Sequence, residues 1–191
     1  MIKYDFVYNR AAQFRKKYGN LSIEGILDAM DIQLLSLPFG TGEHAMKGFV
    51  QRNSKCYTIA VNSDESASGQ RIIIFHEIGH IWLKHLGSAP RGILHDTTLG
   101  YYNQRGIIAD TENESNFFVA ESLIDTEEAK EALHEYDIAT AARQLHVPVE
   151  FLDYKLRMMN RMKIVNAYND AFHASSDCLK DMNLGREGWD W

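Results

Sequence analysis

The sequence is poor in cysteine, in proline and in long apolar runs, and each shortage excludes a class of protein. Its two cysteines, Cys56 and Cys178, lie far apart and in no CxxC or CxxH spacing, which argues against a disulfide scaffold and against a thiolate zinc site. With 3 prolines and 13 glycines, the chain is neither collagen-like nor of low complexity. No uncharged apolar run approaches the ~18 to 20 residues that cross a bilayer, so we expect no membrane span.

The N-terminal segment also lacks an apolar stretch after its first basic residues. Because such a stretch defines a secretory signal, we expect a cytoplasmic protein. The formal net charge of -6 is unfavourable for nonspecific binding to nucleic acid. Many of the acidic side chains concentrate in residues 110–137, where solvated helix faces are the simplest interpretation.

The composition that remains is that of an ordinary globular protein, with 45% hydrophobic and 24% charged residues among 191. This length suits one core of catalytic size plus a small appendage. Hydrophobic periodicity and turn residues predict helices alternating with a few strands. The predicted elements are helices over 4–18, 23–30, about 66–83, 110–124, 126 onwards, 138–146 and 149 to about 174, with strands over 32–37, 48–52 and 56–62.

The most informative stretch is an HExxH motif, His76-Glu77-Ile78-Gly79-His80, within an apolar helix. Residues four apart lie one turn above each other on a helix, so His76 and His80 can bind one cation. Glu77 is one step round the helix, where it can reach a water on the metal as a general base. A glycine in mid-helix costs ~1 kcal/mol relative to alanine, so Gly79 indicates close backbone packing.

A catalytic zinc site needs a third protein ligand and an open position for water. The extended HExxHxxGxxH pattern fails because Leu83 and Leu86 occupy the positions of its Gly and His. A carboxylate on the helix over 110–124 is the alternative. Glu114 and Glu121 are seven apart on its apolar face, and spacing alone allows either. Glu112 is expected to point elsewhere and to be solvated.

This constellation resembles the ImmA/IrrE family of metallopeptidases. In that family HEIGH or HELGH follows a hairpin, and E-A-N-x-F-A-A-E-L-L-M-P comes some thirty residues later. The second motif is matched here by Glu114, Asn116, Phe118, Ala120, Glu121 and Leu123, and the likeness covers about residues 5–160. The departures are Ser115 for Ala, Ser122 for Leu, and Ile124-Asp125 for Met-Pro.

The resemblance implies a site and an activity. The first glutamate of the second motif is the family's third zinc ligand, which implies Glu114 here and leaves Glu121 as a nearby or structural group. The resemblance also implies a narrow substrate, a helix-turn-helix transcriptional repressor of a mobile element or stress regulon, cleaved to relieve repression. None of the departures removes a ligand, although the last one changes the turn that follows.

Residues 138–156 resemble the small helix-turn-helix segment that follows the peptidase core in this family. A helix that reads DNA needs basic or amide side chains at its start. This helix begins instead with Val149, Glu150, Phe151 and Leu152. Packing or contact with a partner protein is therefore favoured over direct DNA binding.

Two further regions carry weaker signals. Residues 88–108 predict a long loop, and loops of that length are usually functional or mobile. Within it His95, Tyr101 or Tyr102 could stabilise an oxyanion, although packing is the commoner role of such residues. His85 lies five residues after His80, off the ligand face, and is expected to be a surface residue at the helix end.

We therefore predict an α+β protein with a zincin-like metallopeptidase core over residues 1–125, in which a small antiparallel sheet packs on helices. A C-terminal helical extension with a polar tail covers residues 126–191. The expected activity is that of a zinc endopeptidase with His76, His80 and Glu114 as Zn²⁺ ligands and Glu77 as base. The alternative is a noncatalytic regulator that binds a repressor or DNA and keeps the metal for structure.

Overall fold

The computed structural model describes residues 2–42, 45–53, 56–87, 93–96 and 107–164. The chain divides into two compact units, one ending at Leu123 and the other beginning at Ile124, whereas the sequence placed the boundary after residue 125. Across the described residues, no helix is both long enough and apolar enough to cross a membrane.

Among the described residues the first unit contains four α-helices, two of which begin at a capping serine. In two of them a serine hydroxyl accepts a hydrogen bond from the backbone N–H three residues on: Ser22 from Gly25 at 3.2 Å, and Ser66 from Gly69 at 3.1 Å. Such caps satisfy N–H groups that have no partner inside the helix. The helices are α1 (Tyr4–Tyr18), α2 (Ile23–Ala29), α3 (Ala67–Trp82) and α4 (Ile107–Leu123).

The sheet has four strands, β1 (Ile32–Leu37), β2 (Gly48–Asn53), β3 (Cys56–Asn62) and β4 (Ile93–Asp96), in the order β1-β3-β2-β4. The predicted hairpin is confirmed, since β2 and β3 pair antiparallel from Gly48↔Val61 to Asn53↔Cys56. The sheet is mixed rather than wholly antiparallel, because β1 pairs parallel with β3. Parallel pairing needs a long connection, and here that connection contains β2. The predicted α+β class is confirmed.

Strand β4 lies within the predicted loop 88–108 and pairs antiparallel with β2, from Gly48↔Asp96 to Gln51↔Ile93. The loop prediction was therefore wrong for residues 93–96. The rest of that stretch up to residue 106, including Tyr101 and Tyr102, lies outside the described residues, as does the polar tail after residue 164.

An aromatic cluster holds α1 against α3 and α4. The ring of Phe14 lies 6.2 Å from Phe75, 5.5 Å from Trp82 and 5.1 Å from Phe118, each in an edge-to-face geometry. Two reciprocal hydrogen bonds add directionality: Arg10 Nη2 donates to the Trp82 carbonyl at 2.7 Å, and Trp82 Nε1 donates to the Arg10 carbonyl at 2.8 Å. Helix α3 is thereby fixed in the centre of the unit.

The second unit contains α5 (Thr126–Glu135), α6 (Ile138–Gln144) and α7 (Val149–Arg161). Asp125 and Asp137 cap the first two by accepting backbone N–H groups at 2.8 Å. A turn with His146 at φ 52° joins α6 to α7, which confirms the two helices and tight turn expected there. In the first turns of α7, Phe151 and Leu152 are buried. The predicted extension of this helix to about residue 174 was too long, since α7 ends at Arg161.

Candidate metal centre

Helix α3 carries the two histidines of the HExxH motif on one face. Their Nε2 atoms lie 3.0 Å apart, and each side chain is only 1% exposed. The neighbouring residues Ile72 to Phe75 are also buried, so the whole middle of the helix is inside the protein. The motif therefore lies on a buried helix, as its spacing and its apolar flanks predicted.

Helix α4 packs beside α3 and contributes Glu112 to this face. Its Oε2 atom lies 3.0 Å from His76 Nε2 and 3.4 Å from His80 Nε2. Among the residues that the structure describes, His76, His80 and Glu112 form the one group of three side chains suited to hold a metal ion. The expectation that Glu112 points away from the site was wrong.

The spacing of these three atoms fits a tetrahedral cation. Ligand atoms bound at ~2.0 to 2.1 Å in a tetrahedral arrangement lie roughly 3.3 Å from one another, and the three observed separations run from 3.0 to 3.4 Å. The Glu112 side chain is 26% exposed while both histidines are buried, so the cluster is accessible from one side. Two imidazoles and one carboxylate form the donor set of a catalytic zinc site with an open position.

The protonation states suit a cation as well. Burial lowers the pKa of His80 to about 4, although Glu112 opposes the shift. Burial by itself would raise the pKa of Glu112, but hydrogen bonds to His76 and His80 outweigh it and the pKa falls well below its usual value. The cluster thus presents a neutral imidazole at His80 and a carboxylate at Glu112, the forms in which these groups bind metals.

Asn116, one turn after Glu112, orients the first histidine. Its Oδ1 lies 3.0 Å from His76 Nδ1 and accepts the proton of that nitrogen. The proton of a neutral imidazole is then on Nδ1, and the lone pair on Nε2 faces the cluster. Glu112 and Asn116 therefore act on the same histidine from one face of α4.

Glu77 lies on α3 between the two histidines and is 1% exposed. A Cβ atom placed on Gly48 would lie 3.4 Å from Glu77 Oε1, 2.9 Å from the Ala60 carbonyl oxygen and 2.5 Å from Ile73 Cγ2. The missing side chain at Gly48, the first residue of β2, thus leaves room for the carboxylate beneath the sheet.

Gly79 allows α4 to approach the motif closely. A Cβ on this residue would lie 3.0 Å from Phe118 Cδ1 and 3.2 Å from Ser115 Oγ, tighter than ordinary packing. The close packing predicted from a mid-helix glycine is confirmed. This approach brings Glu112 and Asn116 within reach of α3.

Glu114, the ligand implied by the family resemblance, is held elsewhere. Its Oε2 lies 3.2 Å from His85 Nε2, and its Oε1 accepts the backbone N–H of Lys3 at 3.0 Å. Burial would raise the pKa of Glu114, but these two hydrogen bonds lower it overall. The carboxylate therefore belongs to a neighbouring group of residues and not to the three-atom cluster.

His85 is buried, with 6% of its surface exposed, and its Nδ1 lies 2.9 Å from His80 Nδ1. The expectation of a surface residue was wrong because the chain turns sharply at Lys84, where φ is 66°. His85 then begins a short 3-10 helix, His85–Gly87, and no longer follows the periodicity of α3. No local sequence signal shows that this turn brings His85 back to His80.

Glu121 is fully buried, and its Oε2 lies 3.4 Å from Arg15 Nη1 on α1. A buried carboxylate needs such a partner. Glu121 is outside the three-residue cluster, and its contact with Arg15 ties α4 to α1.

Comparison with known proteins supports this description. The Peptidase_M78 family model, described as the IrrE N-terminal-like domain, matches residues 27–157. No curated protein matches the chain. The matched region covers the hairpin, the HExxH helix and the helix that carries Glu112 and Glu114. The chain therefore belongs to the IrrE N-terminal-like family of metallopeptidases.

Proposed function

We propose that this protein is a zinc-dependent endopeptidase in which His76, His80 and Glu112 hold the metal and Glu77 is the general base. The observation that carries the proposal is the cluster of two Nε2 atoms and one carboxylate oxygen at the separations a tetrahedral cation requires. The donor set of two imidazoles and one carboxylate favours Zn²⁺ among the common divalent metals.

A zinc ion bound there supplies Lewis-acid polarisation of a peptide carbonyl and lowers the pKa of water. The chain's own residues complete the reaction. Glu77, adjacent to His76 in the helix, accepts a proton from the attacking water and then donates it to the leaving amine. Asn116 keeps His76 in the tautomer that binds a metal. The partly exposed edge at Glu112 gives a peptide access to the cluster.

The proposed substrate is a helix-turn-helix transcriptional repressor, cut within the cytoplasm where it binds DNA. Membership of this peptidase family supports a protein substrate, and the resemblance of the two motifs to ImmA/IrrE proteins supports the repressor class. Proteolysis of one regulator, rather than of proteins in general, agrees with the burial of the metal cluster that the described residues form.

The test is Glu77→Gln, compared with the parent and with the exposed control Glu24→Gln. The test substrate is a purified helix-turn-helix repressor from the same organism, with casein as an unrelated protein. Because the amide cannot accept the proton of water, Glu77→Gln should retain zinc and lose about 10²- to 10⁴-fold in cleavage rate. The control should cut the repressor at the parental rate, and casein should be cut poorly by both.

Equal cleavage by Glu77→Gln and the parent would disprove this mechanism. If neither protein cuts the repressor and both bind it tightly, the chain is a noncatalytic regulator. If purified parent protein holds no zinc after reconstitution, the metal site itself is wrong.

A further inference from the structure

A continuous chain of hydrogen bonds leads away from the metal cluster through groups that the proposed mechanism does not use. His80 Nδ1 lies 2.9 Å from His85 Nδ1, and His85 Nε2 lies 3.2 Å from Glu114 Oε2. Glu114 Oε1 in turn accepts the Lys3 backbone N–H at 3.0 Å. Both histidines and Glu114 are buried, so water does not easily replace these bonds.

Glu114 determines which atom donates and which accepts in each of these hydrogen bonds. The carboxylate is an acceptor at both oxygens, one facing the Lys3 N–H and the other facing His85 Nε2. A neutral His85 therefore carries its proton on Nε2, which leaves a lone pair on its Nδ1. That lone pair can only accept, so the proton of His80 is on Nδ1 and the lone pair of His80 Nε2 faces the cluster.

We infer that His85 and Glu114 are positioning residues that set the tautomer of His80 and so prepare its Nε2 for the metal. The inference rests on the proposed metal site and extends it. Histidine ligands commonly donate their second N–H to a carboxylate or a carbonyl group. Here the imidazole of His85 lies between the Glu114 carboxylate and His80, so the carboxylate sets the tautomer of His80 through His85.

The two metal-binding histidines are thus oriented by different means. His76 donates directly to the Asn116 side chain, whereas His80 depends on His85 and Glu114 together. These hydrogen bonds also connect the site with the segment before α1, since the last donor is the backbone N–H of Lys3.

Three variants test the inference: Glu114→Gln, His85→Leu and His85→Gln. In Glu114→Gln the amide oxygen stays with the Lys3 N–H, and the amide NH₂ faces His85. The proton of His85 then moves to Nδ1 and forces that of His80 onto Nε2, where it blocks the metal. His85→Leu removes the acceptor for His80, while His85→Gln offers an amide oxygen in its place.

The first readout is the tautomer of His80 in metal-free protein labelled with ¹⁵N-histidine, which needs neither metal nor activity. The parent should show His80 protonated on Nδ1, and Glu114→Gln and His85→Leu should show protonation on Nε2. The second readout is zinc affinity from competition with a chelator. We expect a loss of about 10- to 100-fold in those two variants, with most of it restored in His85→Gln.

A parental tautomer at His80 in Glu114→Gln, with the variant shown to be folded by circular dichroism, would overturn the inference even if His85→Leu fails to fold. If Glu114→Gln loses zinc while the tautomer of His80 stays parental, Glu114 acts on the metal directly and the relay is wrong. A parent protein that binds no zinc would overturn the proposed function instead, so the two failures are distinguishable.

Discussion

Glu112 and Glu114 are two positions apart on α4, and their carboxylates contact different histidines. Glu112 Oε2 lies 3.0 Å from His76 Nε2, whereas Glu114 Oε2 lies 3.2 Å from His85 Nε2. Residues two apart point to different sides of a helix, so the two carboxylates cannot share one role. In the proposed site, a shift of two positions in the motif register exchanges the metal ligand for a residue that orients one.

The first prediction is that Glu112→Gln weakens zinc binding more than Glu114→Gln does. Replacing Glu112 removes a charged oxygen from the three-atom cluster, while replacing Glu114 acts only through His85. Glu112→Gln should therefore exceed the ~10- to 100-fold loss expected for a supporting residue. Zinc affinity from chelator competition is the measurement, and Glu121→Gln, on the same helix but paired with Arg15, is the control.

If Glu114→Gln loses more zinc affinity than Glu112→Gln, Glu114 is the ligand, as the motif register implies. Loss of zinc in Glu121→Gln comparable to that in Glu112→Gln would instead indicate a general effect of acidic residues on α4.

The second prediction concerns the space above Glu77. Gly48→Ala should lower the free energy of unfolding by about 1 to 3 kcal/mol, because the new Cβ would lie 2.5 Å from Ile73 Cγ2 and 2.9 Å from a backbone carbonyl oxygen. Urea denaturation measures the change. Gly25→Ala is the matched control, since its Cβ would lie no closer than 3.4 Å to any atom.

In helix α2 that control should raise stability by about 0.5 to 1 kcal/mol through the lower backbone entropy of alanine. Equal stabilities of Gly48→Ala and the parent would show that β2 shifts away from α3 without cost.

The third prediction is that replacement of serine by alanine changes the free energy of unfolding in opposite directions at two positions. Ser115 Oγ is buried and has no hydrogen-bond partner among the described residues, so Ser115→Ala should raise the free energy of unfolding by about 1 kcal/mol. Ser66 Oγ accepts the Gly69 N–H and caps α3, so Ser66→Ala should lower it by ~1 kcal/mol. Thermal denaturation of both variants gives the signs. A destabilised Ser115→Ala would mean that its hydroxyl has a partner, such as a buried water.

The fourth prediction is that acid destabilises the metal-free protein. Burial lowers the pKa of His80 to about 4, below the ~6.5 of an unfolded histidine. Between these values the unfolded state binds more protons, so stability is full above pH ~6.5 and declines toward pH 4. A shift of this size corresponds to on the order of 3 kcal/mol. The lowered pKa of Glu112 extends the decline to more acidic pH.

Urea denaturation at several pH values tests this prediction. His80→Gln should flatten the decline between pH 6.5 and 4, whereas replacement of the exposed His134 by Gln should leave it in place. A parental slope in His80→Gln would assign the pH dependence to other groups.

The elements of the first unit could be predicted where the signal is local. Ser22 and Ser66 cap helices that begin at Ile23 and Ala67. The alternation of apolar and polar residues indicates the hairpin of β2 and β3. The parallel pairing of β1 with β3 and the position of β4 depend on residues far apart in the chain. β4 is also only four residues long, too short for periodicity to distinguish it from a loop.

The site was predictable in part for a similar reason. His76, Glu77 and His80 follow from one motif in one helix. The sequence predicted the third ligand, a carboxylate, on the apolar face of α4. Glu112, the ligand proposed from the structure, is at the partly exposed edge of that helix. The spacing of Glu112 and Asn116, four residues apart on one helix face, could have indicated the pair. His85 had no such signal, because its position depends on the turn at Lys84.

The family match begins at residue 27, after α1 has ended, although α1 supplies Phe14 to the aromatic cluster and follows the Lys3 N–H that anchors Glu114. A recombinant fragment trimmed to the matched region would expose the rings of Phe75, Trp82 and Phe118, a patch prone to aggregation. It would also remove one hydrogen bond from the carboxylate that faces His85. Expression boundaries for biochemical work therefore have to start upstream of Lys3, even though sequence similarity starts later.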